Sequence, residues 1–372
     1  MSQNNLDERP KITNFDFLLG FFVILAMDEH FTYYLNWWYI DFFKEFPALR
    51  ATYQIHLPML EKNLQTDHLN AMLGNIFIPW VSQIYLSLAA FKLAGKDSGI
   101  LNQNLFSRLK IYLLIILVFI FENFFVAPDF GQAISIYPIT IWMIILTLLT
   151  FIYAKFDIKG IVFILIISLC RWFTPIDEWS DFFQLIMIKN IHPGFEYDAR
   201  IEYFLTSGCL GFILGYIYYH KEQIKEKFFI SAILMGLLLA STFFLSGGSF
   251  YSDPTNSLSN EHELTRTFQG SIYIWGMIVL VISLMTTLEM KNIKINLPII
   301  NWVGKNSLTI FGTHRILFLK IIMPISMFIG AMSGRTIGAS TIEIYIYIAF
   351  SIALGWILQK LKLHRIIFPQ KL

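Results

Sequence analysis

The sequence predicts an all-α polytopic membrane protein with about ten transmembrane helices and both termini in the cytoplasm. Three observations carry this expectation. Hydrophobic residues make up 56% of the 372 positions and charged residues only 15%, a balance too apolar for a soluble domain. The apolar residues gather into runs of roughly 20, the length a helix needs to cross a hydrocarbon core about 30 Å thick. Lys and Arg are spread unevenly between alternate loops.

In chain order the runs fall near 14–38, 70–93, 109–128, 133–154 and 158–175, then near 201–220, 227–246, 268–289, 307–330 and 341–360. The first is too long for a cleavable leader, and its flank LDERPK is not followed by a small-residue cleavage site, so it is expected to stay as a span. Loops 94–108, 155–159, 221–227 and 290–306, with both termini and the adjoining helix ends, carry 18 Lys and Arg, whereas the alternate loops carry 7. That asymmetry places the first set in the cytoplasm. The long loops 39–69, 176–200 and 247–267 then lie outside, and a large polar partner would be met there. They hold FEYDARIEYF, FYSDPTNSLSNEHELTRTFQG and the aromatic run YYLNWWYIDFF.

No internal repeat or linker divides the chain, so residues 1–372 read as a single integral-membrane domain. Cys170 and Cys209 both fall in apolar runs and imply neither a disulfide framework nor a metal site. No Walker, Rossmann or zinc-type spacing occurs, which leaves nucleotide hydrolysis without support, and nothing points to nucleic acid as a partner. Scarce Gly and Ala with abundant Ile, Phe, Lys and Asn fit a bacterial protein of an AT-rich genome.

The stretch DFLLGFFVILAMDEH, residues 16–30, opens as a membrane helix and ends in Asp28, Glu29 and His30. Counted at 1.5 Å per residue from the cytoplasmic ends, His30, Glu122, Arg171 and Lys320 all lie roughly 20 Å up their spans. His314 and Arg315 lie lower, nearer the midplane. Charged groups inside spans are costly and usually face a bundle interior or a wet cavity, which makes each a candidate site residue. A lone Glu or Arg near a span's end also has a plainer explanation, since it can snorkel to the headgroups or pair with a neighbour. His314 could be a packing histidine, and Tyr33, Tyr34, Trp37, Trp38 and Trp179 fit an interfacial belt as well as a sugar-stacking platform. His30, beside two carboxylates, fits the plain explanation worst.

The opening stretch resembles the membrane acyltransferase-three superfamily. Many of its members begin with an Asp, an Arg three residues on, a small residue, an apolar run, and a His fourteen residues after the Asp. Asp16, Gly20 and His30 stand at those intervals, with Leu19 in the arginine's place. The DEH ending is most similar to the branch of the osmoregulated periplasmic glucan succinyltransferases. FIPWVSQIYLSLAAFKLAGK and WVGKNSLTIFGTHRILF resemble the second span and a late helix of the wider clan, which includes heparan acetyltransferase-like enzymes. The resemblance implies ten spans with both ends inside, an acyl-CoA co-substrate (acetyl-CoA or succinyl-CoA) with no permanently bound cofactor, and a glycan or lipid-linked glycan as acceptor. Membrane lipid is the remaining partner, a homodimer is left open, and the expected location is the bacterial inner membrane. Leu19 cannot supply the family's charge. Positions 19 and 30 lie on nearly one helix face, about 16 Å apart, so Arg9, Lys11, Lys92 or Lys155 could bind the donor's phosphates instead.

Acyl transfer to a hydroxyl needs a base for its proton and donors or positive charge for the developing oxyanion. His30 suits the base, and Glu29, Asp28 or Glu122 could orient its ring. Gln83, Arg171, Arg315 or Lys320 could polarise the carbonyl, with His314 and Trp37 as further substrate contacts. A second class stays open at this stage: an exporter or conduit for polysaccharide or lipid-linked sugar, its buried charges lining a path. A third is a proton-coupled transporter using His30 and Glu122 as a relay.

Overall fold

A computed structural model of the chain describes residues 12–28, 68–126, 138–173, 201–247, 268–317, 321 and 341–363. Every regular element among the described residues is helical. They run α1 (14–28), α2 (His68–Ala94), α3 (Ser98–Gln103), α4 (Leu105–Val126), α5 (Pro138–Arg171) and α6 (Ile201–His220). The remainder are α7 (Lys225–Leu245), α8 (Phe268–Met290), α9 (Pro298–Lys305), α10 (Ser307–Leu317) and α11 (Thr341–Lys360). Two of these, Lys225–Leu245 and Phe268–Met290, are long and apolar enough to cross a membrane.

The long helices coincide closely with the apolar runs, but two short ones fall where loops were expected. In the loop 94–108, the Asp97 carboxylate accepts from the backbone N–H of Gly99 at 2.8 Å and Ile100 at 3.3 Å and so caps α3. In the loop 290–306, Pro298 opens α9, and Val303 and Gly304 are its buried residues. Both are too short and too polar along one side to register as apolar runs.

The stretch Pro138–Arg171 is broken at Asp157, whose φ is 56°. A Cβ on Gly160 would sit 2.8 Å from the Cγ2 of Ile152, eight residues earlier. A continuous helix would hold these positions about 12 Å apart. The chain therefore doubles back at Asp157, and α5 is two antiparallel arms.

α2 lies at the centre, packed on α6, α5 and α8. Gly211 and Gly215 present their backbones to it; a Cβ at each would come within 2.2 Å of the Ser87 carbonyl oxygen and 2.3 Å of that of Phe91. Two small residues four apart let two helices touch along their main chains, a contact that dispersion rewards without any help from water. The Ser87 hydroxyl adds a hydrogen bond to the Ser207 carbonyl at 2.8 Å. At the far end of α2 the Ala94 carbonyl accepts from the Tyr153 hydroxyl at 3.2 Å and from His220 Nε2 at 2.8 Å, which ties α5 and α6 to the same point.

α7 buries one stripe, Phe229, Ala232, Gly236, Ala240 and Phe243, against α8. Its other faces expose Leu234, Leu237 and Leu238. An exposed apolar helix face of this extent is unfavourable in water and ordinary against lipid.

α1 is clasped at its start by the second half of the chain. The Glu289 carboxylate accepts from the Thr13 hydroxyl at 2.9 Å and from the Asn14 backbone N–H at 3.0 Å. It thus supplies, from another helix, the acceptor that the first turn of α1 lacks. The Asn14 amide donates to the carbonyls of Met285 and Ile293 at 3.3 and 2.9 Å and accepts from the Ile295 N–H at 2.8 Å. Hydrogen bonds to a charged group contribute about 1.5 to 3 kcal/mol. Glu289→Ala is accordingly expected to destabilise the protein by about 2 kcal/mol, with Glu289→Gln recovering part of the loss, as read from thermal unfolding of purified protein.

Candidate functional site

A cavity of about 290 Å³ lies among α1, α2, α4, α5 and α10. Leu19 contributes one wall from α1. Its carbonyl accepts from the Tyr85 hydroxyl at 3.2 Å, which fixes the Tyr85 ring. That ring stacks on Trp142 with centroids 6.1 Å apart and planes 10° from parallel, and meets Phe311 at 6.0 Å. Aliphatic side chains such as Leu86, Ile115 and Leu146 complete the lining.

Two polar lining residues stand at helix ends: Lys92 in the last turn of α2 and Ser307 as the first residue of α10. These helix ends adjoin the Lys- and Arg-rich segments 94–108 and 290–306. The Tyr112 phenol also lines the cavity, within reach of Thr150 and of the Arg108 guanidinium one helical turn earlier. Trp142, also in the lining, is only 6% exposed, and among the described residues its indole N–H has no hydrogen-bond partner.

Of the residues singled out in the sequence, Leu19 and Lys92 are brought to this one cavity. Gln83 is buried on α2, two residues before Tyr85. Asp28 is half-buried at the described end of α1. His314 is fully buried on α10; its Nδ1 donates to the Phe311 carbonyl and its ring lies 4.9 Å from that of Phe311. Glu122, Arg171 and Arg315 belong to α4, α5 and α10, but their side chains lie outside the described residues. Glu29, His30, Trp37 and Lys320 also lie outside them. So do the belt aromatics Tyr33, Tyr34, Trp38 and Trp179.

Sequence reasoning missed Trp142, Tyr85 and Arg108. A tryptophan within an apolar run reads as part of the span's packing, and only its neighbours in space reveal an indole N–H left unmet. Among the described residues lining the cavity there is no carboxylate or imidazole; its polar groups are those of Lys92, Ser307, Tyr85, Tyr112 and Trp142. Among the described residues no group of three or more His, Cys, Asp or Glu is placed to hold a metal ion. Both described cysteines are free thiols.

The described residues thus form an all-helical fold with two helices long and apolar enough to cross a membrane and a mostly apolar cavity whose lining includes Lys92. No family model matches the chain, and neither a curated protein nor a solved structure is significantly similar to it.

Proposed function

We propose that this protein is a multi-pass O-acyltransferase of the bacterial cytoplasmic membrane. It takes an acetyl or succinyl group from cytosolic acyl-CoA and delivers it to a hydroxyl of a glycan on the far side, as the resemblance to the acyltransferase-three superfamily implies. The observation that carries the reading is the cavity. Its wall includes Leu19, the position of the family's arginine, and Lys92 contributes a cation to the same lining. A donor whose phosphates stay near Lys92 and whose arm passes Leu19 is aimed along α1. Asp28 lies nine residues, about 13.5 Å, further along that axis, and His30 follows two residues later.

In this reading the chain spans the membrane ten times with both ends in the cytoplasm, and the exposed apolar faces of α4, α7 and α11 are its lipid contacts. His30 is the general base, oriented by Glu29, Asp28 or Glu122. The acceptor approaches from the outer loops.

Mass spectrometry of surface glycan from deletion and complemented cells tests the proposal. Complementation is expected to add the mass of one acyl unit per modified site. A change in the amount of glycan with no change in mass would instead identify an exporter.

A further inference from the structure

We infer that Lys92 and the Trp142 indole N–H read the acyl donor at two points, Lys92 at its phosphates and Trp142 at a carbonyl oxygen of its pantetheine arm or thioester. This rests on the acyl-CoA reading of the cavity and adds the residues that select for it.

Three observations carry it. First, a buried indole N–H almost always has an acceptor, because leaving it unmet in an apolar site is costly. Trp142 is 6% exposed, lines the cavity, and has no acceptor among the described residues. Its stacking partner Tyr85 directs its own hydroxyl to the Leu19 carbonyl, and the neighbouring Met143, Leu146 and Ile115 offer no acceptor. The missing acceptor is therefore supplied by whatever fills the cavity.

Second, Lys92 lines the same cavity two helical turns from Tyr85, about 10.5 Å along α2. Arg108 lies beside Tyr112, another lining residue, and adds a second positive charge next to the cavity. A ligand that satisfies both points has an anionic head and, about 10 Å inward, a carbonyl on a narrow arm. The extended pantetheine chain, with its amide carbonyls between pyrophosphate and thioester, has that layout. A diacyl phospholipid does not: its carbonyls sit directly below the head.

Third, the volume of about 290 Å³ is at the lower limit for small-ligand pockets and suits one slender arm better than two long acyl chains.

The test is equilibrium binding of radiolabelled acetyl-CoA to the purified full-length protein in lipid nanodiscs. Trp142→Phe keeps a ring to stack on Tyr85 but removes the donor, and is expected to weaken binding about tenfold. Because the lost N–H is unsatisfied in the ligand-free protein, the melting temperature of ligand-free Trp142→Phe should not fall. Lys92→Met, at an exposed position, should also weaken binding about tenfold and flatten its dependence on salt. It tests the head contact even if Trp142→Phe does not fold. Wild-type affinity in Trp142→Phe overturns the inference, and so does weaker binding accompanied by a lower ligand-free melting temperature, the sign of a purely structural role. Failure of the wild-type protein to bind acetyl-CoA overturns the acyl-CoA reading itself. Displacement of the label by raising the phosphatidylglycerol content of the nanodiscs, to the same extent in wild type and Trp142→Phe, assigns the cavity to lipid and overturns both.

Discussion

Replacing His30 by Ala is expected to abolish acyl transfer to the glycan while leaving the amount of folded protein unchanged. A sugar hydroxyl is a poor nucleophile while it holds its proton, and a positioned base accelerates its attack by about 10² to 10⁴. Imidazole, with an ordinary pKa near 6.5, takes a proton at neutral pH and returns it without a large penalty. No other residue of the opening motif does both: Asp28 and Glu29 are carboxylates whose ordinary pKa lies well below neutrality. The measurement is the initial rate of label transfer from acetyl-CoA or succinyl-CoA to glycan, normalised to the monodisperse protein peak. A fall of at least about a hundredfold is expected, and an unchanged rate would end the proposal.

Gly304→Ala is expected to have the largest effect on stability. A Cβ at this position would lie 1.6 Å from the carbonyl oxygen of Asp16 and 2.8 Å from the backbone nitrogen of Gly20. The contact is reciprocal, since a Cβ on Gly20 would lie 1.9 Å from the Ile300 carbonyl oxygen. Main chain faces main chain on both sides, so neither helix can yield by turning a side chain. One methyl group must push α9 away from α1, and overpacking of this kind costs about 3 kcal/mol or more. Gly355→Ala is the control: its added Cβ meets only the Ile310 side chain, at 2.9 Å, which can rotate. Its expected cost is about 1 kcal/mol or less. Thermal unfolding of the two variants in one detergent should separate them clearly. Gly20 and Gly304 also belong to the two stretches that carry the family resemblance, DFLLGFF and WVGKNSL, and the crossing gives a physical reason for a glycine in each.

The long helices were legible because an apolar run ends where polar residues begin. For α6 and α11 the expected ranges 201–220 and 341–360 coincide with Ile201–His220 and Thr341–Lys360. The interruption KFDIK, residues 155–159, reads as a loop between two runs, and the chain does reverse there, at Asp157. α3 and α9 were not legible: one buried side chain, Leu101, or a single turn of buried backbone leaves no periodic trace in so short a segment. The clasp of Asn14 on α8 was also hidden, since nothing local to Asn14 announces a carboxylate some 275 residues away. In the site, Lys92 is one of four cations, with Arg9, Lys11 and Lys155, that the sequence offers for the donor's phosphates in place of Leu19. Trp142 was invisible as a site residue. Its distinguishing property is an unmet hydrogen bond, and that belongs to its surroundings rather than to its letter in the sequence.

The Glu289 clasp sets a schedule for biogenesis. Thr13 and Asn14 leave the ribosome early, but the carboxylate they bind is specified 276 and 275 residues later. At translation rates of about 5 to 20 residues per second, roughly 14 to 55 s pass before it is made. For that interval the first helix waits with its leading turn unsatisfied, and its docking is among the last steps of assembly. A nascent chain arrested before residue 289 should therefore leave its amino-terminal helix open to proteases that the finished protein resists.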